Sequence, residues 1–319
     1  MNFRKIILLT IFISTLACFI ATAEQLSEYE ATKIGTTYTF EGEMCESYGP
    51  YEYDNHPYYV CSIYDDDILK SEIVIDANSG EVVTEESLAK AIIKNDLILT
   101  VLHTEDNYHL NMDYAETYRE NIEIFDSDID FWIQIRDSAS NPAQKENAQE
   151  AADLSQDIKS EYENLLDMTE NLIQVQTKIK AGGTFEDAEN LYEAEKESYH
   201  AEKQFVTTMN VAINKTPEIY DNVLNSNYRY GTSENEWKQY KSGLVNFYKG
   251  ERDSSRSNMA YWESMSSTLD TDTQWIYESM MDRVQEVEAV SAANTLPGFT
   301  LLIASFALLI SGIFIKRMK

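Results

Sequence analysis

Apolar residues recur at alternating steps of three and four through most of the chain after Ser87, and this pattern limits the fold more than any other feature. The first series consists of Ala115, Tyr118, Ile122, Phe125, Ile129 and Trp132. Such spacing places one apolar stripe along an α-helix. The 319 residues include only 11 Gly and 5 Pro, which favours long helices over a turn-rich β-sandwich.

Three further stripes follow, and Glu161 is the one polar residue within the first of them. Their members are Leu154, Ile158, Leu165, Met168, Leu172, Val175 and Ile179; then Phe185, Ala188, Tyr192, Tyr199, Val206, Met209 and Ile213; then Trp237, Tyr240, Leu244, Phe247, Tyr261, Met265, Trp275, Val284 and Val287. Helices of about 35–55 residues would be about 50–80 Å long. We therefore predict a mainly α fold, with an elongated antiparallel helical bundle or coiled coil over residues 87–292.

The breaks between stripes carry helix-end signals. Asn141-Pro142 predicts an N-cap followed by a first-turn proline. In Ala181-Gly182-Gly183-Thr184, Gly183 suits a C-cap, and Thr184 forms an approximate capping box with Asp187. Thr216-Pro217 and Tyr230-Gly231-Thr232-Ser233 bracket a short additional helix, and Gly243 and Gly250 are expected to bend or interrupt the last one.

Period-two patterning is concentrated in an N-terminal α+β module over residues 24–86. Strands are predicted over Tyr58–Tyr64 and Ile68–Ile75, with a short return strand at Glu81–Val83. Gly80 suits a positive φ in the turn before that strand. A helix over Gln25–Thr36 precedes the strands, with Tyr29, Ala31, Thr32 and Ile34 available for packing.

Cys45 and Cys61 remain once the signal segment is removed, and two cysteines in an exported chain predict one disulfide. Closing a loop of this size stabilises by about 3 kcal/mol in the entropic model. A metal site would need more ligands than the nearby His56 supplies. The tyrosines between Tyr48 and Tyr64 fit either a binding face or packing within the small sheet.

The segment Ile73-Val74-Ile75-Asp76-Ala77-Asn78-Ser79-Gly80-Glu81-Val82 resembles the closing hairpin of PepSY-type modules. The resemblance covers residues 25–86, and it implies a module that binds or inhibits and has no catalytic residue. The insertion bounded by the two cysteines departs from the plain strand pairing of that family.

The N-terminus has the three parts of a secretory signal peptide over residues 1–23. Arg4 and Lys5 precede an apolar run from Ile6 to Ile20, and Ala21-Thr22-Ala23 forms a cleavage pattern. An uncleaved anchor is the alternative, since the apolar run is nearly long enough to span a membrane.

The C-terminus carries an uncharged run from Phe299 to Ile315 that is long enough, at about 25 Å, to cross a hydrocarbon core. Basic residues follow it, which predicts an external location for residues 24–295. Pro297-Gly298-Phe299 lies directly before this transmembrane segment, and Lys316-Arg317 directly after it.

This arrangement over residues 293–319 resembles the PGF-CTERM sorting signal of archaeal surface proteins. The resemblance implies recognition by an archaeosortase-type processing enzyme, removal of the tail and attachment to a membrane lipid. An ordinary membrane helix with a proline and a glycine at its border is the alternative.

The charge pattern excludes nucleic acid as the default partner. All 55 acidic residues lie between Glu24 and Glu288, where 20 basic residues leave a net charge of −35 (20 minus 55). Such a surface repels phosphates and anionic lipid headgroups. It attracts cations and basic partners, but a solvated surface suited to salty surroundings is the favoured explanation over specific cation binding.

Candidate chemical sites are few. Asp126-Ser127-Asp128-Ile129-Asp130 imitates the opening of an EF-hand loop, but Phe131 stands where Gly is needed, so helix carboxylates are expected. Asp65, Asp66 and Asp67 form a candidate cation site on a turn. His103 and His109 lack the spacing of a metal pair, and Asn214 begins a glycosylation sequon.

No nucleophile elbow, phosphate loop or dinucleotide motif occurs in the sequence, so we expect neither catalysis nor a cofactor. The first hypothesis is a cell-surface anchored interaction or structural protein of the archaeal envelope, with a surface-layer or envelope protein as partner. The alternative is an extracytoplasmic sensory or regulatory ectodomain, such as a protease-inhibiting PepSY-type module.

Overall fold

The computed structural model describes residues 25–103, 105–225 and 233–295. These residues are mainly helical and divide into two compact units. The first unit contains residues 25–94 and 271–295, and the second contains the described residues from Asn95 to Asp270. The predicted signal peptide, residues 226–232 and the tail from residue 296 lie outside the described residues.

A three-stranded antiparallel sheet forms the centre of the first unit, with β1 (Met44–Tyr53), β2 (His56–Asp65) and β3 (Ile68–Asp76) in that order. The β1–β2 turn has positive φ at Asp54 (51°) and Asn55 (60°), the primed type whose twist matches a two-residue hairpin. The predictions of β2 and β3 are confirmed, and Gly80 does adopt a positive φ of 74°.

Two details of the predicted sheet were wrong. The return strand consists of a single bridge between Ile75 and Val82. Residues 44–53, which we took as a loop between the cysteines, form β1, with a register irregularity between Tyr48 and Tyr51. Gly49 and Pro50 at this irregularity interrupt the alternation of side chains, which is why the strand was missed.

Helix α1 (Glu28–Gly35) begins at Ser27 with a capping box to Glu30 and continues into a 3₁₀ turn over Thr36–Tyr38. It packs on β1 and β2, and Ala31 is fully buried there. Ser47 Oγ donates to the Glu28 carbonyl at 2.8 Å across this contact. The predicted packing of Tyr29 is wrong, because this side chain is 78% exposed.

Helix α2 (Glu86–Leu97) leads into one π-helical turn over Ile98–Leu102. Its first part belongs to the first unit, as does the end of helix α6 (Glu234–Thr295) from Thr271 onward. In that part of α6, Ile276, Met280 and Val284 are buried. The sequence analysis placed all of residues 87–292 in the helical body, so the unit boundary differs from the predicted one.

The second unit contains α3 (Glu105–Ser138), α4 (Pro142–Lys180), α5 (Phe185–Asn225) and the beginning of α6. Consecutive helices run in opposite directions. Arg119 pairs with Glu170 and Arg136 with Gln149 between α3 and α4. Similar pairs join α5 to its neighbours: Lys215 with Glu150 on α4, and Lys241 of α6 with Asp221.

Aromatic side chains from all four helices form the core of the second unit. Trp132 lies 6.0 Å from Trp237, and Tyr162 lies 4.9 Å from Phe205, between ring centroids. Most residues of the first two predicted stripes are buried, and Tyr118, Phe125, Trp132, Leu154, Ile158 and Leu165 belong to this core. Tyr240, Tyr261 and Trp275 of the last stripe are exposed. Tyr248, Trp262 and Ile276 are buried instead. Where adjacent positions are both apolar, the pattern alone does not select the inward residue.

The predicted caps are largely confirmed. Asn141 caps α4 by accepting from the Ala143 backbone N–H, and Thr184 exchanges hydrogen bonds with Asp187. Gly182, not Gly183, takes the positive φ after α4 (117°).

The predicted short helix after Thr216-Pro217 is wrong, because α5 continues through Pro217. A proline removes one intrahelical hydrogen bond. Ala212 and Ile219, on either side of it, are both anchored in the core. Gly243 and Gly250 likewise lie inside the continuous α6.

Candidate functional site: a polar cavity in the helical unit

A cavity of about 90 Å³ lies among α3, α4, α5 and α6 of the second unit and opens to solvent beside the exposed Leu110 and Tyr261. Carboxylates, amides, hydroxyls and aromatic rings line it. Apolar side chains such as Leu172 and Met259 also line it, so a few polar groups stand in a mainly apolar wall, as is typical of ligand sites. Among the residues that line it, all of which the structure describes, none is basic.

Glu202 on α5 is the most deeply buried ionisable group of the lining, with 5% of its surface exposed. Its Oε1 accepts from Asn258 Nδ2 at 2.9 Å, whereas its Oε2 is buried without a well-aligned hydrogen-bond partner in the described structure. Burial raises the pKa of Glu202, whereas hydrogen-bonding contacts with the Ser255, Asn258 and Tyr118 side chains lower it by less. An unsatisfied buried oxygen of this kind is costly unless something occupies the space beside it.

Glu195 lies two helical turns before Glu202 on the same side of α5, and it also lines the cavity. It makes no hydrogen bond or ion pair with the side chains that the structure describes, and it is only partly exposed. Burial among neighbouring groups raises the pKa of Glu195 to about 7. The cavity therefore has a second carboxyl group that changes charge near neutral pH.

Tyrosine side chains from α3 complete the inner wall. Tyr114 and Tyr118 are stacked with their centroids 6.1 Å apart, and Tyr114 Oη donates to Asn258 Oδ1 at 3.3 Å. Burial raises the pKa of Tyr118, with Glu202 adding to the effect, so this phenol stays neutral. Asn258 thus connects Tyr114 of α3 with Glu202 of α5 and holds the carboxylate in place.

Two further acidic groups of the second unit are satisfied by neighbours. Tyr162 Oη donates to Glu251 Oε2 at 2.7 Å, and Ser155 Oγ donates to Asp128 Oδ2. Burial raises the pKa of Asp128 even so. These contacts explain why Glu251 and Asp128 need no ligand, in contrast to Glu202.

The arrangement can hold a small polar or cationic molecule. No group of three or more His, Cys, Asp or Glu side chains within the described ranges is arranged to hold a metal ion. Glu195 and Glu202 are seven residues apart, which is about 10 Å along the helix axis. This distance is too long for one ion shared by both carboxylates.

Cys45 and Cys61 lie close together on β1 and β2, and both are free thiols in this structure. A hydrogen bond between them lowers the pKa of Cys45 and raises that of Cys61. Both cysteine side chains lie close to Gly35 of α1, and a Cβ added to this glycine would lie 2.6 Å from Cys45 Sγ. The predicted disulfide stays a prediction, and the thiols are already neighbours.

The Tyr48–Tyr64 segment does not form one exposed face. Tyr48 is 40% exposed and donates to Glu46, whereas Tyr58 and Tyr59 are buried. Packing within the sheet therefore accounts for a large part of this segment.

The aspartates at the β2–β3 turn are not part of any group of three possible metal-binding side chains among the described residues. Asp65 lies 3.5 Å from Lys70, and Asp66 has a positive φ of 52°. Cation binding by Asp65, Asp66 and Asp67 remains a prediction.

Asn214 is exposed on the continuous helix α5, whereas Thr216 of the same sequon is only 2% exposed. Glycosylation needs both residues of the sequon, so this position is poorly presented.

His103 and His109 are not brought together, since His109 pairs with Glu105 at 3.2 Å while His103 Nδ1 is buried without a partner in the described chain. Residues 126–130, which imitate an EF-hand, lie within α3 as expected.

The sorting-signal residues Pro297, Gly298, Phe299, Lys316 and Arg317 lie outside the described residues. In the part of the chain that is described, no helix has the length and apolarity needed to span a membrane.

The sequence analysis missed Glu195 and Glu202, although a signal was present. Ala188, Glu195, Glu202 and Met209 recur every seven residues, and two of these, Ala188 and Met209, belong to the predicted stripe. A charged residue at a buried heptad position lowers the stability of a helical bundle. Such a residue is retained where it fixes the register between helices or takes part in binding.

Comparison with known proteins identifies no relative of this chain. No family model, no curated protein and no solved structure matches it.

Proposed function

We propose that this chain is a non-catalytic binding protein anchored at the cell surface, and that its helical unit holds a small solute. The observation that carries the proposal is the cavity beside Glu202, whose buried Oε2 has no well-aligned partner among the described residues. A ligand in the cavity would satisfy that oxygen. Solute binding inside an antiparallel helical bundle suits an interaction protein and also an extracytoplasmic sensory ectodomain.

The surface location rests on the sequence of the two ends. The signal-peptide pattern of residues 1–23 supports export, and Pro297-Gly298-Phe299 with the following apolar run supports C-terminal anchoring. In this proposal an archaeosortase-type enzyme removes the tail and a membrane lipid replaces it. Intact-mass measurement of the protein from its native membrane tests the point. A mature chain that still carries residues 300–319 would leave a plain membrane helix as the anchor.

The first unit offers a second candidate function, regulation of a partner protein by a PepSY-type module. One observation favours it: β1 is an edge strand of the three-stranded sheet. An extended peptide can pair with such an edge through main-chain hydrogen bonds. Addition of the purified protein to proteases from the same envelope would measure inhibition directly, and an unchanged rate would count against this function.

The solute-binding function is tested by thermal unfolding of the full chain, extracted in detergent, against a panel of small cationic, anionic and neutral solutes. A ligand that binds only the native state raises the melting temperature in proportion to its affinity and concentration. We expect one class of solute to stabilise the protein.

A matched pair of variants localises the effect. Ser198→Phe fills the cavity, because Ser198 lines it, whereas Ser254→Phe adds the same ring at an exposed position of α6. We expect stabilisation to disappear in the first variant and to persist in the second. Equal stabilisation of both variants would place binding elsewhere, and no stabilisation by any solute would contradict the function.

A further inference from the structure

We propose that the cavity of the helical unit binds a small organic ammonium cation, with Glu202 as its counter-ion and tyrosine rings as the rest of its surroundings. This inference rests on the proposed solute-binding function and specifies the chemical class of the solute. It follows from charge, hydrogen bonding, the aromatic lining and size.

Charge is the first argument. Glu195 and Glu202 both line the cavity, and none of its described lining residues is basic. A carboxylate in such surroundings is destabilised unless a cation neutralises it. The net charge of −30 raises the local concentration of cations and repels anions. An anionic solute would place its negative charge beside these two carboxyl groups and find no basic side chain among the lining residues.

Hydrogen bonding is the second argument. Asn258 Nδ2 donates to Oε1 of Glu202, and the Ser255 and Tyr118 side chains lie close enough to the carboxyl group to lower its pKa. The buried Oε2 still has no partner of good hydrogen-bond geometry among the described residues. An ammonium group supplies N–H donors and a positive charge together, and a charge-assisted bond of this kind is about twice as strong as a neutral one. A neutral alcohol could donate a hydrogen bond but would leave the negative charge unpaired.

The aromatic lining is the third argument. Tyr114, Tyr118, Tyr199 and Trp262 all border the cavity. Aromatic rings attract cations through their π electrons, and alkylammonium groups are bound in this way by clusters of aromatic side chains. The Tyr118 phenol is neutral, since burial and the nearby Glu202 raise its pKa. The alkyl part of the cation would contact these rings while the nitrogen faces Glu202.

Size and ligand count argue against a metal ion and against a large solute. No metal-binding group of three side chains occurs within the described part of the chain. A closed cavity of about 150 Å³ accommodates benzene, and the cavity here is smaller, at about 90 Å³. Its lining includes the exposed side chains of Leu110 and Tyr261, so it opens to solvent and the alkyl part of a small cation can extend outward.

Two probes of the same shape test the inference on the full chain. tert-Butylammonium chloride and tert-butanol differ in charge but hardly in volume, and calorimetric titration gives the affinity of each. We expect tert-butylammonium to bind at least about tenfold more tightly, because one charge-assisted contact is worth about 1.5–3 kcal/mol and each 1.4 kcal/mol is tenfold. This comparison needs no variant, so it does not depend on the folding of a mutant. Calcium chloride and potassium chloride serve as inorganic cations.

Two variants then identify the counter-ion. Glu202→Gln keeps the shape of the side chain and removes its charge, whereas Glu197→Gln removes the same charge from an exposed position of α5. We expect Glu202→Gln to weaken tert-butylammonium binding about tenfold or more without lowering the stability of the ligand-free protein. Glu197→Gln should leave binding unchanged. A residue with a purely structural role would instead lower stability when replaced.

The outcomes separate this inference from the function on which it rests. Equal affinity for tert-butanol, full competition by an inorganic cation, or unchanged binding by Glu202→Gln would each overturn the ammonium site. If an anionic or neutral solute binds in a manner that Ser198→Phe abolishes, the solute-binding function stands and the ammonium inference fails. If no solute binds at all, both fail.

Discussion

Replacing Glu195 with Gln should remove a pH dependence of stability that the wild-type helical unit displays. Burial raises the pKa of Glu195 from its ordinary value of 4.5 to about 7. The native state therefore holds this proton more tightly than the unfolded state does. Its contribution to stability is fully present below the unfolded pKa and is lost as the pH rises through the folded pKa.

The magnitude follows from the shift. Each pKa unit corresponds to about 1.4 kcal/mol, so the change from 4.5 to about 7 gives at most about 3.5 kcal/mol. Glu195 is partly exposed to the cavity, and solvent there reduces the figure to about 1–3 kcal/mol. For a unit of this size each kcal/mol shifts the melting temperature by about 2–4 °C. Glu195→Gln should therefore melt several degrees above the wild type at about pH 8 and at nearly the same temperature at about pH 5.

Circular dichroism melts of both proteins at constant ionic strength, between about pH 5 and about pH 8, provide the measurement. Glu197→Gln is the control, since it removes one exposed charge from the same helix and corrects for the change in net charge. If Glu195→Gln and Glu197→Gln show the same dependence on pH, then Glu195 is not the titrating group and the argument from burial is refuted.

Two further predictions concern the first unit. Arg283, which is 5% exposed, binds Glu43 through two hydrogen bonds of 2.6 and 2.9 Å and lies over the Phe40 ring. Arg283→Met should cost about 1.5–3 kcal/mol in urea unfolding, because it removes two charge-assisted hydrogen bonds from the partly buried Glu43 carboxylate. A loss below about 1 kcal/mol would show that solvent replaces Arg283 as the partner of Glu43. Gly35→Ala should cost about 1–3 kcal/mol, since the new methyl group would lie 2.6 Å from Cys45 Sγ and 2.8 Å from Cys61 Cβ. Unchanged stability of this variant would mean that the cysteine side chains move aside.

Interactions between residues close in the sequence were sufficient to predict several helix caps and one turn. The Asn141 cap, the Thr184–Asp187 box and the positive φ of Gly80 all depend on residues a few positions apart. Such features are visible in the sequence because the interacting groups are close neighbours in the chain. The same local rules failed at Pro217, where burial of the flanking residues outweighs the lost hydrogen bond.

The choice of inward-facing residues could be predicted only in part. The stripes of α3 and α4 were recognised because a single apolar residue occurs at each inward-facing position. In α6, Tyr261 and Trp262 are adjacent and both aromatic, so the sequence does not show which of them is buried. Strand β1 was missed for a related reason, since Gly49 and Pro50 interrupt the alternation that defines a strand.

The amino-acid sequence alone determined that this chain is mainly helical after a small α+β module, because hydrophobic periodicity and capping are properties of neighbouring residues. Only the tertiary structure decided that Glu202 is buried with one oxygen unsatisfied, and that Tyr114, Asn258 and Glu195 surround the same cavity. These residues lie on three helices and are separated by up to about 150 positions. Their proximity depends on how the helices pack, and this is a long-range property that no local pattern of residues records.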